Sequence, residues 1–335
     1  MTAGPQPELF LFYDNGPTAD SRILVFGTEQ CLRALAESEL WFMDGNFDVT
    51  PKLFLQLYVI LIPLGDAAVS IVYALMERKT QESYEELFRA ITSRCESLGC
   101  SPYPEVILTD FEKAAMNAAK EVFGSDVKTQ GCFFHMTQST WRKLQDLGLV
   151  PRYREDEGLR LLVSMLDALA FLPVPEVEDG FRLLRSVEPA DVGELVMYFE
   201  TNYVLGSYRN VPRRNGNVTL RRVPPRFPPE VWNVHDATMA DGHRTNNQEA
   251  WNRRFGSLLR HSHPSVHRLI DALRLEEGAV STVFQQEAIG VRPQKRVKPA
   301  TVELQARLRN LCSQYVNNEK TIEEFLRGVA RTIRF

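Results

Sequence analysis

Along the first 150 residues, short apolar runs that suit strands alternate with stretches whose apolar positions recur every three or four residues, as in helices. Segments Phe10–Phe12 and Ile23–Phe26 predict two short strands around a polar turn. The stretch "TEQCLRALAES" predicts a helix capped by Thr28, and "LWFMD" predicts a strand over Leu40–Asp44. The runs "LFLQLYVILIPL" and "AAVSIVYALME" are rich in branched and aromatic residues. Joined by Gly65-Asp66, they predict a hairpin. A helix opening at Thr80 and closing at Gly99 follows, with Ser83 and Glu85 in its first turn. "PEVILTD" predicts a strand ending at Asp110, and "FEKAAMNAAKEVFG" an Ala-rich helix that stops at Gly124. A further strand is expected around Cys132–Phe134, with a helix behind it.

The pattern then changes. Residues Tyr153–Phe199 read as helical throughout. The stretch from Gly206 to Pro229 is rich in Pro, Gly and Asn, and holds six Arg and no acid, which predicts a loop or an exposed excursion. It is open whether that loop is merely solvated or forms a basic patch for phosphates. Helical periodicity returns at "RTNNQEAWNRRFGSLLRHSH", with Asn246 or Asn247 as cap and Glu249 in the first turn. It continues through "SVHRLIDALRLEEGAVSTVFQQEAIG". A basic linker, "VRPQKRVKPA", precedes a last helical region expected over Thr301–Val329.

Composition narrows the class. A formal net charge of −4 argues against holding nucleic acid by bulk charge alone, although it permits a local basic groove. Five widely spaced cysteines form no disulfide framework, which fits a reducing compartment. The longest apolar run is too short to span a bilayer, and the N-terminal stretch lacks the form of a signal peptide. A soluble, intracellular protein is therefore expected.

Three acids stand out by position: Asp44 and Asp110 at strand ends, and Glu249 on a distant helix. Asp44 has two readings. Asp-Gly is common hairpin chemistry, but a rigid strand can also hold a carboxylate out as a ligand. Acids at the ends of neighbouring strands can meet at one edge of a sheet, where their mutual repulsion calls for a divalent cation. Oxygen ligands suit Mg²⁺ or Mn²⁺, and two such ions can serve phosphodiester chemistry. Cys132 and His135 form a C-x₂-H pair, half of a zinc site, for which His261, His263 and His267 are candidate completing ligands. The competing reading is a core Cys and a His at a strand–helix junction, so zinc is not expected. No phosphate-binding glycine loop and no nucleophile-elbow motif is present.

The blocks "WFMDGNFDVTPKLFLQLYVILIPLG", "VILTDFEKAAMNAA", "GCFFHMTQSTWRKLQ" and "RTNNQEAWNRRF", in this order, resemble the MULE (Mutator-like element) transposase domain. The resemblance spans roughly Ile23 to Arg274. It implies an RNase H-like (retroviral-integrase-like) α/β fold: a mixed five-stranded sheet flanked by helices and interrupted by an all-helical insertion. On that basis residues 1–150 would be the first part of the core and 151–240 the insertion with its Arg-rich loop. Residues 241–290 would return to the core with the glutamate helix, and 291–335 would form the basic linker and C-terminal helices. The family's D-G-x-F aspartate falls on Asp44 and its second aspartate on Asp110. Its glutamate after T-N-N falls on Glu249, and its C-x₂-H element on Cys132 and His135.

The resemblance thus implies a DDE-type DNA transposase holding two Mg²⁺ or Mn²⁺ on Asp44, Asp110 and Glu249, with His135 orienting a phosphate or water. Its partners would be the element ends, target DNA and a second copy of the chain, and its place the nucleus. Charge alone nominates Lys143, Arg209, Arg213, Arg214, Arg221, Arg222, Arg253 and Arg254 as phosphate contacts. Relatives often carry an N-terminal FLYWCH-type zinc finger, and no Cys/His cluster stands in the first 30 residues here. The alternative function is a transposase-derived nuclear protein without catalysis, acting in DNA or protein binding and transcriptional regulation. A more distant one is a nuclease or RNA-processing enzyme on the same fold.

Overall fold

The computed structural model describes residues 2, 8–189, 191–212, 218–291 and 298–333. In chain order the strands are β1 (Leu11–Asp14), β2 (Ile23–Phe26), β3 (Leu40–Asn46), β4 (Gln56–Leu64), β5 (Ala67–Met76), β6 (Val106–Thr109), β7 (Lys128–Gly131), β8 (Ser207–Pro212) and β9 (Val218–Val223). The first seven helices are α1 (Glu29–Glu37), α2 (Gln81–Ser97), α3 (Lys113–Phe123), α4 (Phe133–Asp146), α5 (Val150–Glu155), α6 (Glu157–Ala168) and α7 (Val177–Ser186). The rest are α8 (Gly193–Phe199), α9 (Pro229–Trp232), α10 (His235–Met239), α11 (Gln248–Leu259), α12 (Val266–Ala288), α13 (Pro299–Val316) and α14 (Ile322–Ile333). The chain forms two compact units, Met1–Gln130 with Asn246–Arg296, and Gly131–Thr245 with Val297–Phe335.

The first unit is built on one mixed sheet in the order β1-β2-β5-β4-β3-β6-β7, consistent with an RNase H-like fold. It has seven strands rather than five, because β1 pairs with β2 and β2 pairs antiparallel with β5. The predicted hairpin is present as β4 and β5, turning at Gly65, whose φ of +57° suits a residue without Cβ. Side chains alternate between the two faces of the sheet. One face buries Trp41, Met43 and Ile107 against Leu35, Leu87, Phe88, Ile91 and Ala118 of α1, α2 and α3. The other buries Phe42, Val59, Leu61 and Leu108 against Trp251 and Phe255 of α11 and Leu269 and Leu273 of α12. Thr28 and Thr80 cap α1 and α2 by accepting the N–H groups of Cys31 and Ser83.

The strand expected around Cys132–Phe134 ends earlier, at Gly131, and Phe133 opens α4. A short apolar run such as "CFF" reads equally as a buried strand or as the first turn of a helix. The second unit is mainly helical. It carries Leu159, Leu166, Phe171, Phe181, Phe199 and Trp232 as fully buried side chains. Within it β8 and β9 form an antiparallel pair of strands where a loop or an exposed excursion was expected. The strands are largely exposed, and the alternation that sets Tyr208, Val218 and Leu220 on one face is too short to stand out among Arg209, Arg221 and Arg222. The single helical region expected over Thr301–Val329 is two helices. Asn318 takes φ of +59° between them, and Thr321 opens α14 with a reciprocal cap: the Thr321 N–H donates to Glu324 and the Glu324 N–H to the Thr321 hydroxyl. Arg213, Arg214 and most of the basic linker lie outside the described residues.

Candidate active site

Strands β3 and β6 run parallel, with Leu40, Trp41 and Phe42 paired to Val106, Ile107 and Leu108. Asp44 and Asp110 each lie two residues past the last of these pairs. The two acids therefore stand side by side near the C-terminal ends of adjacent strands, in line with Phe42 and Leu108. Strand β3 runs on to Asn46, so Asp44 lies inside the strand rather than at its expected end, and Asp110 follows the last residue of β6. That face is the one covered by α11 and α12. Asp44-Gly45 is not a hairpin turn: Asp44 pairs with Val59 and Gly45 with Tyr58 inside the β3–β4 ladder. A Cβ on residue 45 would come within 2.4 Å of the Gln56 Oε1 atom, so the position after Asp44 calls for glycine.

Asp44 is only 6% exposed. The Gly45 N–H donates to its Oδ1 at 2.9 Å, and the Asn246 amide reaches its Oδ2 at 3.4 Å while also donating to the Met43 carbonyl at 3.3 Å. The Thr109 hydroxyl donates to Asp110 Oδ1 at 3.3 Å. Burial raises the Asp44 carboxyl well above the usual carboxylate range; the charge of Asp110 and then that of Glu249 add to it, against the pull of Gly45 and Asn246. Asp110 is raised as well, by burial, although Thr109, Lys79 and the Glu112 N–H oppose the shift. At the rim, Lys79 Nζ stands 3.8 Å from Glu112, whose own carboxyl is raised by burial and by Asp110. The site is therefore a pair of acids that water solvates poorly and that repel each other.

The third acid comes from α11. Glu249 is exposed in the first turn of that helix, and its charge is felt at Asp44. Among the described residues, however, no three His, Cys, Asp or Glu side chains are grouped closely enough to hold a metal ion together. The two observations are compatible, because a charge acts over a longer range than a ligand bond. The structure thus sets Asp44 and Asp110 on adjacent strands, with the charge of Glu249 felt at Asp44. As hard oxygen donors with an excess of negative charge, the two aspartates suit a divalent cation of the Mg²⁺ or Mn²⁺ type.

Helix α11 is fixed from both ends. The buried Gln248 amide donates to the Val59 carbonyl at 3.0 Å, and its N–H goes to the Asn246 side chain at 3.3 Å. Asn247, the N-cap, is left-handed at φ +56°. Further along, Glu276 of α12 is 2% exposed and accepts from Trp251 Nε1 and Ser70 Oγ, both at 2.9 Å, and from both Arg254 Nη atoms. Arg253 and Arg254, both nominated for phosphate, are both exposed, and Arg254 is in addition engaged by Glu276.

Cys132 and His135 belong to the second unit, where Cys132 is the buried N-cap of α4 and His135 lies in its first turn. Burial, then the charge of Arg142, lowers the His135 imidazole to about 4, so it is neutral at physiological pH. Among the described residues, no third His, Cys, Asp or Glu joins the pair in a metal-binding group. His263 is engaged elsewhere, with Nδ1 2.9 Å from the Thr50 carbonyl oxygen. On the basic hairpin, Arg209 pairs across the strands with Arg221, and Tyr208 with Arg222. Lys143 lies with Nζ 5.8 Å from the centre of the Tyr198 ring.

Sequence reasoning missed Lys79, Glu112 and the second role of Asn246. Asn246 was visible only as a cap candidate. Lys79 had no signal at all, because it sits in the link between β5 and α2.

The family model of the MULE transposase domain matches residues 40–139, a span that includes both aspartates and the C-x₂-H pair. No match is found among the curated proteins. Among the described residues no helix is long and apolar enough to cross a membrane.

Proposed function

We propose that this chain is the catalytic domain of a DDE-type DNA transposase. The observation that carries this reading is the pairing of the buried Asp44 with the partly buried Asp110 on adjacent parallel strands, inside the span matched by the transposase family model. Two divalent ions, Mg²⁺ or Mn²⁺, held on Asp44 and Asp110 with Glu249 approaching, would supply the charge neutralisation and nucleophile activation that phosphodiester cleavage and strand transfer require. The protein's own contribution is positional. Gly45 and Asn246 fix the Asp44 carboxylate, Thr109 fixes Asp110, and burial keeps competing water away. Lys79 provides a positive charge at the rim where a phosphate would arrive. Arg209, Arg221, Arg222, Arg253 and Lys143 are our proposed contacts to the DNA backbone. Joining two element ends calls for two copies of the chain, and action on chromosomal DNA places the protein in the nucleus.

The test is nicking of an element-end DNA by the purified chain in Mn²⁺. The proposal expects nicking that falls by at least about 100-fold in Asp44→Asn, Asp110→Asn and Glu249→Gln. Nicking that survives in the two aspartate variants would contradict it, and preferential cutting of RNA–DNA hybrids would indicate a nuclease on the same fold. The exposure of Glu249 favours a second reading: a transposase-derived nuclear protein that binds DNA or proteins and regulates transcription. That protein would bind the DNA and leave it uncut.

A further inference from the structure

The second unit contains a cavity of about 330 Å³ for which transposition chemistry has no use. One wall is a stripe along α13, where Ala300, Leu304 and Leu308 recur at four-residue spacing. Phe133, Phe171 and Ile333 close the apolar surface. The two phenyl rings meet edge to face at 5.2 Å. Into this lining comes one charged group, the guanidinium of Arg244.

Arg244 is only partly exposed, and its hydrogen-bond acceptors are neutral: the Thr238 hydroxyl at 3.4 Å and the Gln305 amide oxygen. Its guanidinium carbon also lies 5.6 Å from the centre of the Phe171 ring. The acid nearest in sequence, Asp241, is paired with Arg309 instead. Among the described residues no carboxylate forms an ion pair with Arg244, and burial pulls its pKa down. An arginine stays charged in such a place, so the cavity holds a positive charge that no carboxylate among the described residues pairs with. Five N–H donors in a planar fork suit a carboxylate, sulfonate or phosphate, and two neutral acceptors leave part of that fork to spare. The cavity volume falls in the range of small-molecule sites, and its lining has the usual form of such sites: mostly apolar, with a few orienting polar groups.

We propose that this cavity binds a small organic anion, its ring-bearing apolar body against Phe133, Phe171, Leu304 and Leu308 and its single acidic group on Arg244. This site is independent of the transposase reading, since none of its residues belongs to the Asp44–Asp110 pair.

The test titrates anilinonaphthalene sulfonate into the full-length chain and follows its fluorescence, beside N-phenyl-naphthylamine, which has the same rings without the acid. The proposal expects saturable one-site binding of the sulfonate. Arg244→Gln should weaken it roughly tenfold or more while changing the neutral compound less than about twofold, with Arg244→Lys falling between. Leu304→Trp, which fills the cavity, should abolish binding of both. Circular dichroism confirms that each variant is folded. If Arg244→Gln does not fold, the sulfonate-to-neutral preference of the wild type and the Leu304→Trp result decide the matter. Three results would each overturn the proposal: no saturable binding by the folded wild type, equal sulfonate affinity in Arg244→Gln, or binding that Leu304→Trp leaves intact.

Discussion

Two buried acidic centres lie against the same sheet of the first unit, and they meet the cost of burial in opposite ways. Glu276 is surrounded by donors: a serine hydroxyl, an indole N–H and a guanidinium fork. The Asp44–Asp110 pair instead sets one carboxyl beside another, with a backbone N–H, an amide and a hydroxyl as neighbours. A buried carboxylate is stable in a fold when its charge is matched, and a mismatch is retained where function needs it. Glu276 therefore reads as a fastener between β5, α11 and α12. The aspartate pair is raised by burial and, at Asp44, by the neighbouring carboxylates; under the proposed function it is the place that would take the divalent cations.

The comparison is most severely tested by removing the fastener. Glu276→Leu should cost about 3 kcal/mol in urea unfolding, because it strands the Trp251 N–H, the Ser70 hydroxyl and Arg254. Glu276→Gln should cost less, since it keeps the acceptor oxygen. A loss below about 1 kcal/mol for the leucine variant would show that the donors find other partners.

A third, partly buried acid sharpens the contrast in the second unit. Asp167 has one sealed carboxyl oxygen without a hydrogen-bond partner, and burial raises its pKa to about 7 against the opposing Thr140 hydroxyl. The folded state thus holds this proton more tightly than the unfolded chain does. Its contribution to stability is full below the ordinary aspartate range and is lost as pH rises toward 7. Allowing for partial exposure, the loss should be roughly 2 kcal/mol between pH 4 and pH 7. Asp167→Asn should remove that slope from a series of denaturant melts.

The next effect concerns Asn246. Asn246→Ala removes the amide shared by Asp44 and the Met43 carbonyl, and should lower stability by about 1 kcal/mol. It should also weaken Mn²⁺ binding by roughly 10- to 100-fold, as loss of a group that orients a ligand does. Unchanged Mn²⁺ affinity would remove Asn246 from the site. The smallest effect has the opposite sign. With Asp44 raised well above the usual carboxylate range and Asp110 raised as well, stability of the metal-free protein falls as pH climbs through their titration. Asp44→Asn should therefore stabilise the metal-free protein at pH 8, by on the order of 1 kcal/mol.

The two aspartates were legible because each ends an apolar run, which is a local feature, although β3 itself continues past Asp44 to Asn46. The β4–β5 hairpin and the Thr28 and Thr80 caps were legible for the same reason. Glu276 was not. It stands beside Glu277 in "RLEEGAV", and only contacts with Ser70, 206 residues away, and with Trp251 and Arg254 show its role. The β8–β9 pair was read only as a loop or exposed excursion because its apolar alternation, Val218 and Leu220, is too short to stand out among the Arg, Pro, Gly and Asn around it. The Asp-Gly pair left Asp44 open between turn and ligand, and only the cross-strand register excluded the turn. Pairing partners in a sheet are not written in the local sequence.

The central claim is that Asp44 and Asp110 form one cation site. Calorimetric titration of Mn²⁺ into the wild type, Asp44→Asn and Asp110→Asn tests it most directly. The account predicts saturable binding in the wild type that either substitution abolishes, with all three proteins folded. Binding that persists in both variants, or no binding by the folded wild type, would contradict it.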